Sequence, residues 1–194
     1  MEYLLSACVG LGLSASSGFR VFVPMLVMSI AAQTGHLEPA ESFKWVGSEQ
    51  ALVMFSVASL LEIGSYYVPW LDNLLDTIAT PAAIIAGTVL TGAMVTDTSP
   101  VLSWSLAIIG GGGVSAVIQT GTALARQASA MTTGGLGNPV ISTGEFAGST
   151  MLAMMAIFVP LLALLTAIVF VVLVYKGAAK LLKKKYSDKS AASA

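Results

Sequence analysis

The chain has 194 residues, of which 56% are hydrophobic and only 10% are charged, and its formal net charge at pH 7 is -1. Because soluble domains carry about 25% charged residues, this composition excludes a soluble globular protein and indicates an integral membrane protein. The apolar runs are continuous rather than alternating, which excludes a β-barrel and predicts an all-α protein. The length predicts a single domain with about five transmembrane helices.

The first apolar run, from Tyr3 to Gln33, contains one side chain that is charged at neutral pH, Arg20. As one unbroken helix the run would be about 46 Å long, whereas a bilayer core is about 30 Å thick. We therefore expect the run to tilt strongly or to break at the small residues 14–18. An arginine at that depth costs about 3 kcal/mol, so Arg20 should face a polar interior, a carboxylate or freed carbonyl groups.

Caps and prolines divide the next part of the chain. Ser48 and Glu49 predict the start of a second helix, which ends near residue 67. The apolar spacing over 69–80 predicts an amphipathic helix in the membrane interface. Thr80 followed by Pro81 then predicts the start of a third helix, ending near residue 95.

Three acidic residues in this part are candidates for coupling or ion pairing. Glu62 lies about four turns into the second helix, and it is either a carboxylate at the membrane edge or a buried partner for Arg20. Asp72 and Asp76 are four residues apart and share one face of the interfacial helix. They either hold a hard cation through their oxygens or form a solvated acidic face.

A fourth helix is predicted from Ser99-Pro100 to about residue 130, with a break at the four glycines 110–113. Each glycine inside a helix costs about 1 kcal/mol relative to alanine, so the run must serve close packing or an opened backbone. Beyond it, Gln119 and Arg126 make the helix too polar for lipid contact, which predicts a central position in the bundle.

The last apolar run begins after a Thr/Gly-rich loop, 131–143. Ser142 and Glu145 form a capping-box pattern, which predicts the start of the fifth helix. Glu145 is thereby explained as a cap, and coupling or ion pairing is its alternative role. This helix is predicted over 146–175, with a kink near Pro160.

Residues 176–194 form a basic tail that holds six of the nine Lys and Arg residues. The positive-inside rule predicts a cytoplasmic carboxyl terminus, with the tail at anionic lipid headgroups of the inner (plasma) membrane rather than on nucleic acid.

The first and fourth helices share one design, since each has an apolar half, a break of small residues and a half with an arginine. This pattern predicts an inverted repeat, with one unit over 3–67, a second over 100–175 and linker helices over 69–95. If both broken runs cross the membrane, Lys44 lies on the same side as the lysine tail. If both are re-entrant hairpins, Lys44 lies on the opposite side, an arrangement that the positive-inside rule favours less.

Several short motifs resemble those of a known family. They are Pro69-Trp70-Leu71-Asp72-Asn73-Leu74-Leu75-Asp76 with Pro81 and Gly87, Ser17-Gly18-Phe19-Arg20, and Gly137-Asn138-Pro139 with Ser142 and Glu145. Together they resemble an uncharacterised family of small multi-pass bacterial membrane proteins described as a domain of unknown function. The resemblance covers about residues 10–165 and implies the architecture but no established activity. It also implies a basic residue near Thr80, which this chain lacks.

Enzymatic chemistry is the function that the sequence favours least. A single Cys8 and a single His36 give no metal-ligand cluster, and no nucleophile and base stand at a recognisable spacing. We therefore expect no cofactor, no metal and no enzymatic activity.

Two other functions remain. The first is a small transporter or channel with a site for an anionic or zwitterionic solute near the bilayer midplane, where opened helices and arginines favour negative charge. The residues expected to bind the solute are Ser16, Ser17, Gly18, Arg20, Gly111, Gly112, Gln119 and Arg126. The second is a non-transporting membrane component that binds lipid or a partner protein. In either case the expected partners are membrane lipids and a small solute or ion, and a homo-oligomer is an open alternative.

Overall fold

The computed structural model describes the backbone of residues 2–65, 69–96, 98–134 and 136–192, and the side chains of 3–65, 78–96, 98–134 and 136–180. These residues form helices and no strand, as the composition predicts. The helices are α1 (Glu2–Ser17), α2 (Phe22–Gln33), a 3-10 helix (Glu41–Gly47), α3 (Glu49–Ser65), α4 (Pro69–Met94), α5 (Pro100–Ser105), a π-helical segment (Leu106–Gly112), α6 (Gly113–Thr133), α7 (Asn138–Phe158) and α8 (Pro160–Ala192).

Three of these helices are long and apolar enough to cross a membrane, namely Pro100–Thr133, Asn138–Phe158 and Pro160–Lys180. A fourth candidate is the pair formed by the 3-10 helix and α3, which are bent by 63° where they meet. Many large apolar side chains on the outer faces of α3, α5 and α8 are exposed, as lipid-facing side chains would be. The protein is thus an all-helical protein with three to four candidate membrane spans.

Several helix ends follow local signals in the sequence. The Ser48 hydroxyl accepts a hydrogen bond from the Ala51 N–H at 3.1 Å, and the Ser99 hydroxyl accepts one from the Leu102 N–H at 3.4 Å. Both serines cap the helix that we expect to start there. α6 ends at Gly134, whose φ of 62° lies in the left-handed region that favours glycine.

α1 and α2 form an antiparallel hairpin joined by residues 18–21. Tyr3 at the start of α1 and Ala32 near the end of α2 line the same cleft, so the chain reverses between them. The helices have 16 and 12 residues, or about 24 and 18 Å, each shorter than a bilayer core. The interruption at residues 18–21 directly follows the small residues that end α1.

α4 is one helix where the sequence predicts two. It runs from Pro69 to Met94 with Pro81 inside it, so the expected new start at Thr80 is wrong. A proline removes one backbone hydrogen bond, but the fully buried Ala83 and Leu90 show that the second half of α4 packs tightly in the bundle, where a membrane helix tolerates a proline. The side chains of Asp72 and Asp76 lie outside the described residues.

The expected break at the four glycines is absent. The chain is helical from Pro100 to Thr133, and a π-helical segment replaces the opened backbone. A Cβ atom on Gly111 would meet the Gly87 carbonyl oxygen and the Thr91 side chain of α4. The glycine run therefore serves close helix packing, which is one of the two roles expected of it.

The two halves of the chain do not share one design. The first apolar run reverses at residues 18–21, whereas the run from Pro100 to Thr133 continues as a single helix. The break expected in the second run is thus absent, and the inverted repeat expected from units 3–67 and 100–175 stays a prediction. In the second run, the π-helical segment and α6 pack against α4.

α7 and α8 are two antiparallel helices, so the single kinked helix predicted over 146–175 is wrong. Ala156 of α7 and Ala163 of α8 both pack against Gly12, and further along α8 the Phe170 ring lies 5.1 Å from that of Phe19. Pro160, which lacks an N–H group, starts α8 rather than kinking a continuous helix. α8 then continues to Ala192, so the tail predicted at 176–194 is largely an extension of this helix.

The bundle has two distinct ends. A cleft of about 1240 Å³ opens at one end, between the start of α1, the end of α2, the 3-10 helix and the end of α4, and Lys44 lines it. α8 starts at this cleft end and runs past Phe19 towards Lys176. Lys44 and Lys176 therefore lie at opposite ends of the bundle.

Candidate functional site

Four charged side chains are buried together away from the cleft. Arg20, Arg126, Glu145 and Glu62 are only 2%, 3%, 4% and 9% exposed. They come from four segments, the α1–α2 turn, α6, α7 and α3. We call them the charge cluster. Two positive and two negative charges make it neutral as a whole when all four are ionised.

The carboxylate of Glu145 lies between the two arginines. Arg20 Nη2 is 3.3 Å from Glu145 Oε2, and Arg126 Nε is 3.6 Å from Glu145 Oε1. Arg20 Nη2 also donates a hydrogen bond to the backbone carbonyl of Ser142 at 2.8 Å. Two guanidinium groups that each approach one oxygen form the arrangement with which proteins bind carboxylates and phosphates.

The Glu62 carboxylate binds backbone N–H groups at the start of α2. Its Oε1 accepts a hydrogen bond from the Val21 N–H at 2.7 Å, and its Oε2 accepts one from the Phe22 N–H at 3.0 Å. A carboxylate in this position satisfies orphan backbone donors and the positive end of the helix dipole. Arg20 and Arg126 also attract it electrostatically. Of the two alternatives for Glu62, the structure shows the buried one.

The capping role predicted for Glu145 is wrong. α7 begins at Asn138, with Pro139 in its first turn, so Ser142 and Glu145 lie inside the helix. Helix geometry then turns the carboxylate into the bundle, towards Arg20 and Arg126. The loop predicted over 131–143 is correspondingly short, because α6 ends at Thr133 and α7 begins five residues later.

A chain of buried hydroxyl groups lies between the cleft and the charge cluster. The Ser17 and Ser115 hydroxyls are 2.8 Å apart, and the Ser115 hydroxyl donates to the Ser14 carbonyl at 2.6 Å. The Ser14 hydroxyl in turn lies 2.6 Å from that of Thr91. We call these four residues the hydroxyl track. The track begins about 7.5 Å along α1 from Val9, which lines the cleft.

Two further hydroxyls beside the cluster have no protein partner among the described residues. They belong to Ser16 and Ser142, which are 0% and 7% exposed. The backbone carbonyl of Ser16 accepts a hydrogen bond from the Ser149 hydroxyl at 3.0 Å, and that of Ser142 accepts the bond from Arg20. Buried polar groups are normally paired, so these hydroxyls are places for a small polar ligand or water.

The structure brings together only part of the predicted solute site. Ser16, Ser17, Gly18 and Arg20 lie at the α1–α2 turn, where Gly18 packs against Ile118. Arg126 joins them in the charge cluster, and Gln119 is buried two turns before it on the same helix. Gly111 and Gly112 lie elsewhere, because they pack against Gly87, Thr88 and Thr91 of α4.

Some residues of the site carry no distinctive sequence signal. The carbonyl of Ser142 contacts Arg20 through the backbone, which no residue type predicts. Thr91, Ser115 and Ser149 carry hydroxyl groups inside apolar helices. Their occurrence in an apolar helix is the only sequence signal from which a role in the site could be predicted. The described residues contain no group of three His, Cys, Asp or Glu side chains able to hold a metal ion.

Comparisons with known proteins give a family but no relative of known activity. No curated protein and no solved structure matches the chain. A family described as a domain of unknown function (DUF4126) matches residues 7–180. This range includes most of the α1–α2 hairpin, the hydroxyl track and all four residues of the charge cluster. The chain therefore belongs to the DUF4126 family, a family of uncharacterised function.

Proposed function

We propose that the protein is a small membrane transporter or channel whose charge cluster binds an anionic or zwitterionic solute. The observation that carries this proposal is the position of Glu145, whose carboxylate lies between the guanidinium groups of Arg20 and Arg126. In this proposal the protein's own carboxylate fills a site built for carboxylate or phosphate oxygens. A solute anion binds when it takes the place of Glu145.

The depth of the cluster supports the proposal. Phe19, next to Arg20, makes an edge-to-face ring contact with Phe170 of α8. Phe170 lies about 15 Å along the helix from Pro160 and about 9 Å from Lys176. The charges thus lie well inside the bundle, where charged residues are costly and are usually functional.

The proposed topology has five crossings and one re-entrant hairpin. The crossings are α3 with its 3-10 helix, α4, α5 to α6, α7 and α8, and the α1–α2 hairpin enters from the cleft end. The non-helical residues 18–21 are then buried in protein, as membrane depth requires. We place Lys176 and Lys180 in the cytoplasm by the positive-inside rule, which puts the amino terminus and the cleft on the outer face of the inner membrane.

This topology predicts opposite labelling at two positions. In a Cys8→Ser background, Lys44→Cys should react with a membrane-impermeant maleimide added outside intact cells, because Lys44 lies exposed at the cleft end. Lys176→Cys should react only after the membrane is permeabilised. Reaction of both positions from the same side would contradict the proposed topology, and the reversed pattern would contradict the orientation.

The cleft and the hydroxyl track support a route to the cluster. The cleft is large enough for a small solute. The hydroxyls of Ser14, Ser17 and Ser115 are buried between the cleft and Arg20, and they are linked to one another by hydrogen bonds. The unpartnered hydroxyls of Ser16 and Ser142 add two donors beside the arginines. We propose that a solute passes from the cleft along this route when the helices around α1 move apart.

Flux across reconstituted liposomes tests the function. The panel is methanesulfonate, gluconate, inorganic phosphate and glycine, and we expect the wild-type protein to carry at least one of them. Arg20→Lys keeps the charge but loses the planar fork of donors, so flux should fall about tenfold or more while the thermal midpoint changes little. Lys180→Arg, a matched exchange at an exposed position away from the cleft, should leave flux unchanged.

Two results would overturn this proposal. One is the absence of flux for every member of the panel with a correctly folded wild-type protein. The other is wild-type flux in a stably folded Arg20→Lys variant.

The alternative is a non-transporting membrane component that binds lipid or a partner protein. One observation favours this alternative. Val9 and other described residues line the cleft, but none of the four residues of the charge cluster does. On this alternative the arginines serve assembly alone. Arg20→Lys would then lower the thermal midpoint, and no panel member would cross the membrane with either protein.

A further inference from the structure

The neutrality of the charge cluster restricts how an anion enters it. Arg20 and Arg126 are balanced by Glu62 and Glu145, and all four side chains are buried. An added anion would leave the buried cluster with an uncompensated negative charge. Such a charge is strongly disfavoured in a low-dielectric interior, and buried groups commonly avoid it by taking up a proton.

Glu145 is the carboxylate that an entering anion displaces. It contacts both arginines through its two oxygens, whereas Glu62 keeps two backbone N–H donors at the start of α2. A carboxylate displaced from both guanidinium groups inside the bundle is stable only in its protonated form.

No other titratable group among the described residues is placed to take up a proton when an anion enters the charge cluster. α7 packs against α1, α2, α6 and α8. Tyr3 of α1 lines the cleft, and Cys8 lies about 18 Å along α1 from the turn at Arg20. α2 has no charged side chain, and the ionisable residue of α6 is Arg126. The ionisable side chains of Tyr175, Lys176 and Lys180 in α8 are exposed. From α3, Glu62 interacts electrostatically with the same two arginines, Arg20 and Arg126.

We propose that the protein carries one proton with each monovalent anion, bound on the carboxyl group of Glu145. This inference rests on the proposed function and names its coupling ion. A proton from water converts the Glu145 carboxylate to a carboxylic acid, and the anion takes its place between Arg20 and Arg126. The net charge of the cluster stays at zero. On release the proton returns to water, and the carboxylate returns to the arginines.

Methanesulfonate is the best probe of this coupling, because it stays ionised and cannot carry the proton itself. In liposomes with the outside one pH unit more acidic than the inside, one-to-one coupling gives about tenfold accumulation of the probe. A dye inside should report acidification that follows the probe. A membrane potential alone should not drive uptake, since the transported pair is neutral.

Glu145→Gln separates anion binding from proton coupling. The amide is uncharged, as the protonated acid is, so the variant should still carry methanesulfonate but without acidification. Its uptake should follow the membrane potential, because an anion then crosses alone. Glu49→Gln removes an exposed carboxylate in the first turn of α3, outside the cleft, and should keep the wild-type coupling.

The outcomes distinguish this inference from the function on which it rests. Wild-type methanesulfonate flux with no acidification overturns the coupling and leaves the transport function standing. No flux of any anion overturns both. Loss of acidification in Glu62→Gln, with acidification retained in Glu145→Gln, overturns the assignment to Glu145. If Glu145→Gln does not fold, the acidification by the wild-type protein still decides whether a proton moves.

Discussion

Replacing Arg20 with alanine should lower the free energy of unfolding by about 3–5 kcal/mol, because it breaks a buried ion pair from one side. The variant removes the guanidinium group that donates to the Ser142 carbonyl. It also removes one of the two arginines that contact Glu145. We expect poor assembly in the membrane and a much lower unfolding midpoint. Reversible unfolding of the purified protein in mixed micelles, followed by tryptophan fluorescence, measures the loss.

A double-mutant cycle separates the ion pair from simple loss of packing. Arg20→Ala combined with Glu145→Ala removes both charges, and its loss should be smaller than the sum of the single losses by about 1–3 kcal/mol. Lys44→Ala, at the exposed pair with Glu41, should change stability little. Losses that simply add for Arg20 and Glu145 would show that the two side chains do not stabilise one another.

Gly87→Val should also destabilise the protein strongly, by about 3 kcal/mol, because it forces apart three helices that meet there. A Cβ atom on Gly87 would meet the Ser115 side chain and lie 2.7 Å from the Gly111 carbonyl oxygen. The Gly87 carbonyl also accepts the Ser14 hydroxyl at 2.6 Å. Movement of α4 would therefore disturb the hydroxyl track as well as the packing.

The matched control for this substitution is Gly113→Ala, one residue beyond the π-helical segment. A Cβ atom there meets nothing within 4 Å, so the higher helix propensity of alanine should leave stability unchanged or slightly raised. Thermal unfolding of both variants in one detergent gives the comparison. Equal midpoints for Gly87→Val and wild type would contradict the close contact between α4 and the π-helical segment.

The sequence predicts the class of this protein well, and several helix ends too, because these depend on composition and on local chemistry. The apolar runs require helices, and Ser48 and Ser99 cap the helices expected at their positions. The break near Ser17 follows from small residues and a charge in a run too long for a bilayer.

The directions of the helices could not be predicted, because a reversal and a kink leave the same local signals. Pro81 lies inside a continuous helix, whereas Pro160 starts a new helix that runs back along the bundle. Contacts between residues far apart in sequence, such as those of Gly12 with Ala156 and Ala163, decide whether the chain continues or reverses. The sequence of residues 18–21 likewise predicts an interruption of the helix, but it does not predict the angle between α1 and α2.

The arginines of the site were predictable, but the pairing of Arg20 was not. A charged residue in an apolar run requires a buried partner, and both Glu62 and Glu145 were available. Glu145 also fits a capping box with Ser142, and only the start of α7 at Asn138 shows that it lies inside the helix. Its contact with two arginines depends on how α6 and α7 pack, which no local pattern determines.

The most direct test is whether Glu145 occupies the position of a solute anion, and equilibrium binding in detergent measures it. Radiolabelled methanesulfonate, gluconate and inorganic phosphate are offered to the wild-type protein, to Glu145→Gln and to the exposed control Glu49→Gln. Removing the competing carboxylate should make at least one anion bind about tenfold more tightly to Glu145→Gln than to the other two proteins. Equal or weaker binding of all three anions by a folded Glu145→Gln protein would contradict the proposed site.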